Sequence, residues 1–377
     1  MPPQHRIADF IETYTRDLKA EDLQRLFTRD TRDAYRFITR HVDLTPLEGL
    51  PWHKRFVSKA RMLFLAFTMK LSPARRLVYG AALLFLALGL FNLLRSTPQG
   101  FGFPDGTGTL VVAFVLMNLL VLLELADRLS LKNDLEVARE IQQAMLPSGR
   151  FSAPGVETAG FSRPANTVGG DFYDILPLDG GRVAIAVGDV AGKGSPAALL
   201  MALLLAMMRT LVDERLEPGE LVSRLNVQVS RHAPGTRFIT LFYGVFDPQT
   251  GELTYVNAGH MPPLVLRADN RIERLTDGGI ALGMFERASY SPGHAVLRPD
   301  DLIAVYSDGI TEAENAAGAP FDESGLENAL RLYGRDPIAD IGACVLRAVE
   351  AHTGDARLAD DLTVLVLRRT APVAVAV

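Results

Sequence analysis

The chain has 377 residues, 48% of them hydrophobic, which is enough for two or more domains with sizeable cores. Its formal charge of −5 lacks the basic excess of a nucleic-acid-binding protein, so no nucleic-acid partner is expected. The single cysteine, Cys344, excludes a disulfide framework within the chain and reads as a small buried hydrophobe in a reducing compartment.

Residues 1–72 carry apolar side chains at helical spacing (Ile7, Phe10, Ile11, Tyr14, Leu18) with charges between them, broken at Pro46 and Pro51. They predict a small helical cytoplasmic unit, and no chemistry is visible in it. Residues 73–126 hold two long apolar runs, Leu77–Leu94 and Thr109–Leu123, joined by a Gly- and Pro-rich turn. These predict a hairpin of two transmembrane helices, at about 76–95 and 107–125. Arg61, Lys70, Arg75 and Arg76 precede the first run, Arg128 and Lys132 follow the second, and only Arg95 lies between. The positive-inside rule then puts both ends in the cytoplasm. Residues 127–147 continue as a linker or signalling helix. Its stripe of Leu122, Leu125, Leu129, Leu135, Ala138, Ile141 and Met145 ends before Pro147. Such a stripe suits a homodimer seam or a face packed on the next domain, and periodicity leaves both open.

From 148 to 370 the pattern changes to short β-rich runs, among them RVAIAVGDV, FITLFYGVF, ELTYVNAGH, DLIAVYSDG and DLTVLVLRR. Helical stretches interrupt them after the glycine loop at 188–195 and before the last strand. The first, SPAALLMALLLAMMRTLVDE, is apolar nearly all round, which predicts burial with Met201, Met207 and Met208 as core filler. The region reads as one α+β domain, followed by a short tail at 371–377.

The loop GDVAGKGS (Gly188–Ser195) invites a nucleotide reading, but it fails the phosphate-loop spacing. Only three residues separate Gly188 from Gly192, and Gly194 stands where a hydroxyl residue should follow Lys193. A kinase or ATPase is therefore disfavoured. The acids are more informative. Asp171, Asp189, Asp308 and the pair Asp360–Asp361 each abut an apolar β run and either a glycine or a second acid. One such aspartate is usually only a turn residue, but acids from four distant segments can converge. Carboxylates and water suit magnesium or manganese, whereas the seven scattered histidines offer no zinc spacing.

The segments LEVAREIQQAMLP, VGGDFYD, GDVAGKG, NAGHMPP, SDGITEAEN and DDLTVLVL, in this order, resemble the metal-dependent serine/threonine phosphatases of the protein phosphatase 2C type. The likeness is to their bacterial branch, the sigma-factor regulators and sporulation stage II phosphatases. It covers Leu135 to Arg368 and not the N-terminal third. The resemblance implies two antiparallel β-sheets sandwiched between helices and two divalent ions, Mn²⁺ or Mg²⁺, at one end. Carried over by position, Asp189 bridges both metals with help from the Val190 carbonyl, and Asp171 sits on the metal or its waters. Asp308 and Asp360 hold the other metal, with Asp361 the second candidate of its pair. Asp171, Asp189 and Asp308 are then the catalytic acids. Paired metals lower the pKa of a shared water and neutralise phosphoryl oxygens, so no phosphoenzyme is needed.

Two positions depart from the wider family. Ala191 replaces a histidine proposed as general acid, and Gly170 replaces a Glu or Asn. The leaving-group proton must then come from metal-bound water or another group; Lys193 is one candidate, although it reads first as a surface or helix-start lysine. Asn257 and His260 are expected to fix a turn by hydrogen bonding. The expectation is a multi-pass protein of the bacterial cytoplasmic (inner) membrane, dephosphorylating serine or threonine on an anti-sigma-factor antagonist. The alternative is a catalytically silent sensor or scaffold of the same fold, which degenerate ligands would mark.

Overall fold

The computed structural model describes residues 51–95, 106–147, 149–233, 237–354, 356 and 358–371. Most of the N-terminal helical unit, the turn between the apolar runs and the C-terminal tail lie outside the described residues. The chain divides into two compact units, Met1–Leu129 and Ser130–Val377.

The first unit contains α1 (Trp52–Thr68), α2 (Pro73–Arg95) and the first part of α3 (Thr107–Met145). Pro73 opens α2, where its fixed φ suits the first turn and its missing N–H is not needed. Near this end Arg75 reaches Asp127 (2.7 Å) and Glu124 (3.3 Å) of α3. Near the other, a Cβ on Gly89 would meet Thr109 Oγ1 and the Leu110 side chain at 2.7 Å. The two helices therefore run antiparallel in close contact. Leu84, Leu88 and Phe91 of α2, and Val111, Phe114 and Leu119 of α3, remain exposed. The second apolar run and the expected linker form one continuous helix, which ends at Met145.

Among the described residues, three helices are long and apolar enough to cross a membrane: α2, α3 and α4 (Ser195–Val212). The third is distinguished by its surroundings. Ala197, Leu200, Met201, Leu204, Leu205 and Met208 of α4 are buried in the core of the second unit.

The second unit is built on two sheets. One has the strand order β1 (Arg150–Ala153), β2 (Val156–Arg163), β12 (Leu362–Arg369), β11 (Leu302–Tyr306), β7 (Leu264–Leu266), β8 (Ile272–Arg274). The other runs β10 (Gly293–Val296), β6 (Glu252–Ala258), β5 (Ile239–Phe246), β4 (Val183–Val190), β3 (Phe172–Pro177). Pairing is antiparallel except for the two-residue β9 (Gly278–Gly279), which lies parallel to β6.

Alternation on the strands sets the layers. Val183, Ile185 and Val187 of β4 pack with Phe242, Val305 and Leu365 between the sheets, while Ala184 and Ala186 pack against α4 and α5 (Pro218–His232). On β11, Ile303 and Val305 face between the sheets. Leu302, Ala304 and Tyr306 pack against α7 (Asp322–Tyr333) and α8 (Ile338–Thr353). Both faces of these strands are covered, which is why they read as nearly unbroken apolar runs. The result is a helix–sheet–sheet–helix sandwich, the α+β architecture read from the sequence. Four short strands (β1, β8, β9, β10) and the one-turn helix α6 (Asp308–Thr311) were not anticipated, because elements this short carry no measurable periodicity.

Candidate active site

Antiparallel pairing gathers the acids at one edge of the sandwich. Phe172 of β3 pairs with Gly188 of β4, so Asp171, just before β3, lies beside Asp189 near the end of β4. In the other sheet Tyr306 pairs with Val364, and the Ser307 N–H donates to the Thr363 carbonyl (3.0 Å). This brings Asp308, at the start of α6, next to Asp360 and Asp361, just before β12. The Gly170 N–H donates to Asp361 Oδ2 (2.8 Å), joining the two sheet ends.

Two glycines allow this close approach. A Cβ on Gly170 would lie 2.9 Å from the Val190 carbonyl oxygen and 3.3 Å from Asp189 Oδ1. One on Gly309 would run into the Asp361 carbonyl. The Glu or Asn of the wider family would therefore crowd the backbone oxygen that the resemblance assigns to the metal.

The electrostatics are those of like charges held close together. Asp171 is buried, and its Oδ2 has no hydrogen-bond partner among the described residues. Burial holds its carboxyl well above the usual range, and the neighbouring Asp189 charge adds to this. Asp189 is pushed up to about 6, first by burial and then by Asp308. Burial and then Asp360 raise Asp308 as well.

Asp360 and Asp361 divide their labour. Asp361 is buried, and its carboxylate accepts the backbone N–H groups of Ala165 (2.8 Å), Gly170 (2.8 Å) and Asp171 (3.4 Å). It ties the loop before β3 to the start of β12. Asp360 is half-buried and contacts Lys193, whose ammonium donates to Asp360 Oδ2 (2.8 Å) and to the Ala359 carbonyl (2.6 Å). Lys193 thus lies against the acids, the second of the two readings that the sequence allowed.

Asn257 does fix a turn: its Oδ1 accepts the His260 N–H (2.7 Å). His260 Nδ1 bonds Thr240 Oγ1 (2.9 Å), and Thr240 pairs with Asp189 across β4 and β5. Burial pushes the imidazole down to about 4, so it supports Thr240 as a neutral group. Gln142, on the helix preceding the sandwich, was also missed. It lies off the apolar stripe, yet it is buried and bonded to Gly169. Cys344 takes no part; it sits buried on α8 beside Arg347. A polar cleft of about 450 Å³ opens at the far end of β3, and its Arg209 is already committed to Asp174.

The residues fit a hard divalent cation. Asp171 Oδ2 is a buried oxygen without a donor, and the raised carboxyls would be relieved by positive charge. Among the described residues no three acid, imidazole or thiol groups converge tightly enough to enclose an ion. An open arrangement is what magnesium needs, since it retains several waters and uses one or two carboxylates.

Comparison with known proteins agrees with this geometry. The sequence profile of the family Stage II sporulation protein E (SpoIIE) matches residues 179–370. The phosphoserine phosphatase RsbU of Bacillus subtilis is 29% identical over 243 residues, 63% of this chain and 71% of RsbU. Among solved structures, the RsbU and RsbW domains of Rv1364c from Mycobacterium tuberculosis match at a TM-score of 0.52 and 30% identity, over 58% of this chain and 61% of that one. The SiaA-PP2C domain of Pseudomonas aeruginosa shares the fold at a TM-score of 0.57 and 20% identity, over 64% of this chain and 98% of the domain. With the family profile covering half its length and a sandwich that gathers four acidic segments at one edge, the chain belongs to the SpoIIE family of PP2C-type, metal-dependent serine/threonine phosphatases.

Proposed function

We propose that the chain is a membrane-tethered phosphoserine/phosphothreonine protein phosphatase that uses two divalent ions, Mn²⁺ or Mg²⁺, at the acidic edge. The carrying observation is the Asp171–Asp189 pair, buried at Asp171 and half-buried at Asp189, which is raised in pKa and has no cation paired with it among the described residues. Asp189 and the Val190 carbonyl would hold both ions, Asp308 and Asp360 one of them, and Asp171 the ion or its waters. When bound, such ions supply Lewis acidity toward a phosphoryl group. The protein's own share is to hold these oxygens rigidly at strand ends, with Asp361 fixing the Gly169–Asp171 backbone. Ala191 has no ionisable group and His260 is held neutral by burial, while Lys193 is a cationic side chain in contact with the acids.

Relatives of the RsbU type support a phosphorylated regulatory protein as substrate, and an anti-sigma-factor antagonist fits that class. The exposed apolar surfaces of α2 and α3 support two membrane crossings, with the sandwich in the bacterial cytoplasm. Leu131, Val137 and Ile141 of α3 are also exposed, while Gln142 on the same helix is buried. An apolar helix face left open this way supports a homodimer through α3 and a signal passed along it.

The test is hydrolysis of a phosphoserine peptide and p-nitrophenyl phosphate by the full-length chain in detergent, with Mn²⁺ and Mg²⁺ titrated and Asp308→Asn run alongside. Turnover that needs metal and disappears in the variant is expected. A chain that binds metal but turns over neither substrate would support the silent scaffold instead.

A further inference from the structure

We infer that Gln142 is a positioning residue for the metal-binding acids, acting through the Gly169 backbone; the inference rests on the phosphatase reading above. Gln142 is only 9% exposed, near the C-terminal end of α3. Its carboxamide grips one residue from both sides. Nε2 donates to the Gly169 carbonyl (2.7 Å), and the Gly169 N–H donates to Oε1 (3.1 Å). This is the two-bond pattern of a paired strand, supplied by a side chain. Nε2 also lies 3.2 Å from Met201 Sδ on α4, the helix that follows the Gly188–Ser195 loop.

What Gly169 is attached to gives the contact its meaning. A Cβ on Gly169 would collide with Asp361 Oδ2, and the next N–H, of Gly170, donates to that same oxygen. Gly170 in turn lies against the Val190 carbonyl and Asp189 Oδ1, and Asp171 follows it. Two successive glycines have little stiffness of their own. Their position is fixed by Gln142 on one side and by Asp361 on the other. Loss of the carboxamide would free the Gly169–Gly170 segment and loosen the spacing of Asp171, Asp189 and Asp361, without removing any ligand. The chemistry would then be intact once metal is bound, but metal would be harder to bind.

The experiment compares the full-length chain with Gln142→Met and Gln142→Ala. Methionine keeps the length and the fit against Met201; alanine is the harsher change. Three quantities are read: the Mn²⁺ binding isotherm, amide hydrogen exchange of Gly169–Asp171 in the metal-free chain, and p-nitrophenyl phosphate turnover at saturating Mn²⁺. Partners that orient metal ligands typically contribute about 10–100-fold in affinity, so the Mn²⁺ midpoint should rise by that much in both variants. Exchange at Gly169–Asp171 should quicken, while turnover at saturating metal stays within about three-fold of wild type, since no ligand is lost. Unchanged isotherms and exchange would overturn the inference. So would lost turnover at an unchanged Mn²⁺ midpoint, or a fall in melting temperature alone. A wild-type chain that binds Mn²⁺ without turnover would instead count against the phosphatase reading, a result distinct from wild-type turnover with unaltered variants.

Discussion

The two ends of β11 carry aspartates in opposite circumstances. Asp301, just before the strand, is 1% exposed and fully answered: Arg267 Nη1 and the Arg298 N–H donate to Oδ2 and the Ala268 N–H to Oδ1, each at 2.8 Å. Asp308, just after it, faces Asp189 and Asp360, and its carboxyl is raised by burial and by their kind of charge. The same contrast separates Asp174, buried against Arg209, from Asp171 three residues earlier, buried with an oxygen unbonded. Burial of a carboxylate is therefore no mark of function here. The mark is burial without compensation, which a fold keeps only where something else is to bind.

The sharpest way to break this contrast is to neutralise the uncompensated side. Asp189→Asn should reduce metal-dependent turnover by roughly 10³-fold or more, the equivalent of several kcal/mol of lost Lewis-acid stabilisation. It should also abolish the rise in melting temperature on adding Mn²⁺. In the metal-free chain at pH 7 the sign reverses. The wild-type carboxyl, pushed up to about 6, is ionised in a place that disfavours charge, and asparagine is not. The variant should therefore be more stable by about 1–3 kcal/mol when metal is absent. A substitution that removes activity yet raises the metal-free melting temperature is the signature of a binding site. A lower metal-free melting temperature would place Asp189 among the structural acids.

At the compensated end the prediction inverts. Asp301→Ala leaves the Ala268 and Arg298 amides unbonded and removes the buried partner of the half-buried Arg267 guanidinium. Breaking such a pair costs about 3 kcal/mol or more. For a unit of this size that is a fall of roughly 6–12 °C in melting temperature, at about 2–4 °C per kcal/mol. Turnover per folded molecule and the Mn²⁺ midpoint should not move. A shift in the midpoint would mean that the two ends of β11 are coupled.

How much of this was legible beforehand follows from what each signal depends on. Asp171, Asp189, Asp308 and the Asp360–Asp361 pair could be found because each stands at the end of a recognisable apolar strand, next to a glycine or a second acid. The longer strands could be read because they are long enough to show a pattern, whereas their arrangement in two sheets came only from the resemblance to the phosphatase family. Asp360 and Asp361 could not be told apart in role, since the difference lies in which backbone N–H groups reach Asp361 across the sandwich. Gln142 was invisible, and the partner of Lys193 could not be read, for a related reason. Their partners are distant in the chain by 167 and 27 residues, and a polar residue off an apolar stripe gives no sign that it is buried. Local pattern located the acids; the groups that hold them are tertiary facts.

His260 offers the mildest test, because it is a third kind of buried polar group, neither paired with a charge nor awaiting one. Its Nδ1 bonds Thr240, and burial pushes its pKa down to about 4. In the unfolded chain the value returns to about 6.5, so between these values the unfolded state binds more protons, and stability must fall as pH falls through that window. Above about 6.5 both states are neutral and the effect is absent. At pH 5.5 the loss should be about 1 kcal/mol, and His260→Gln, which cannot take up the proton, should not show it. Melting temperatures of the metal-free proteins at pH 5.5 and 7.5 give the answer. A larger drop for wild type than for the variant is expected. Equal drops would show that the folded protein accepts a proton at His260, and the imidazole beside Thr240 would then have to be counted with the charges of the acidic edge.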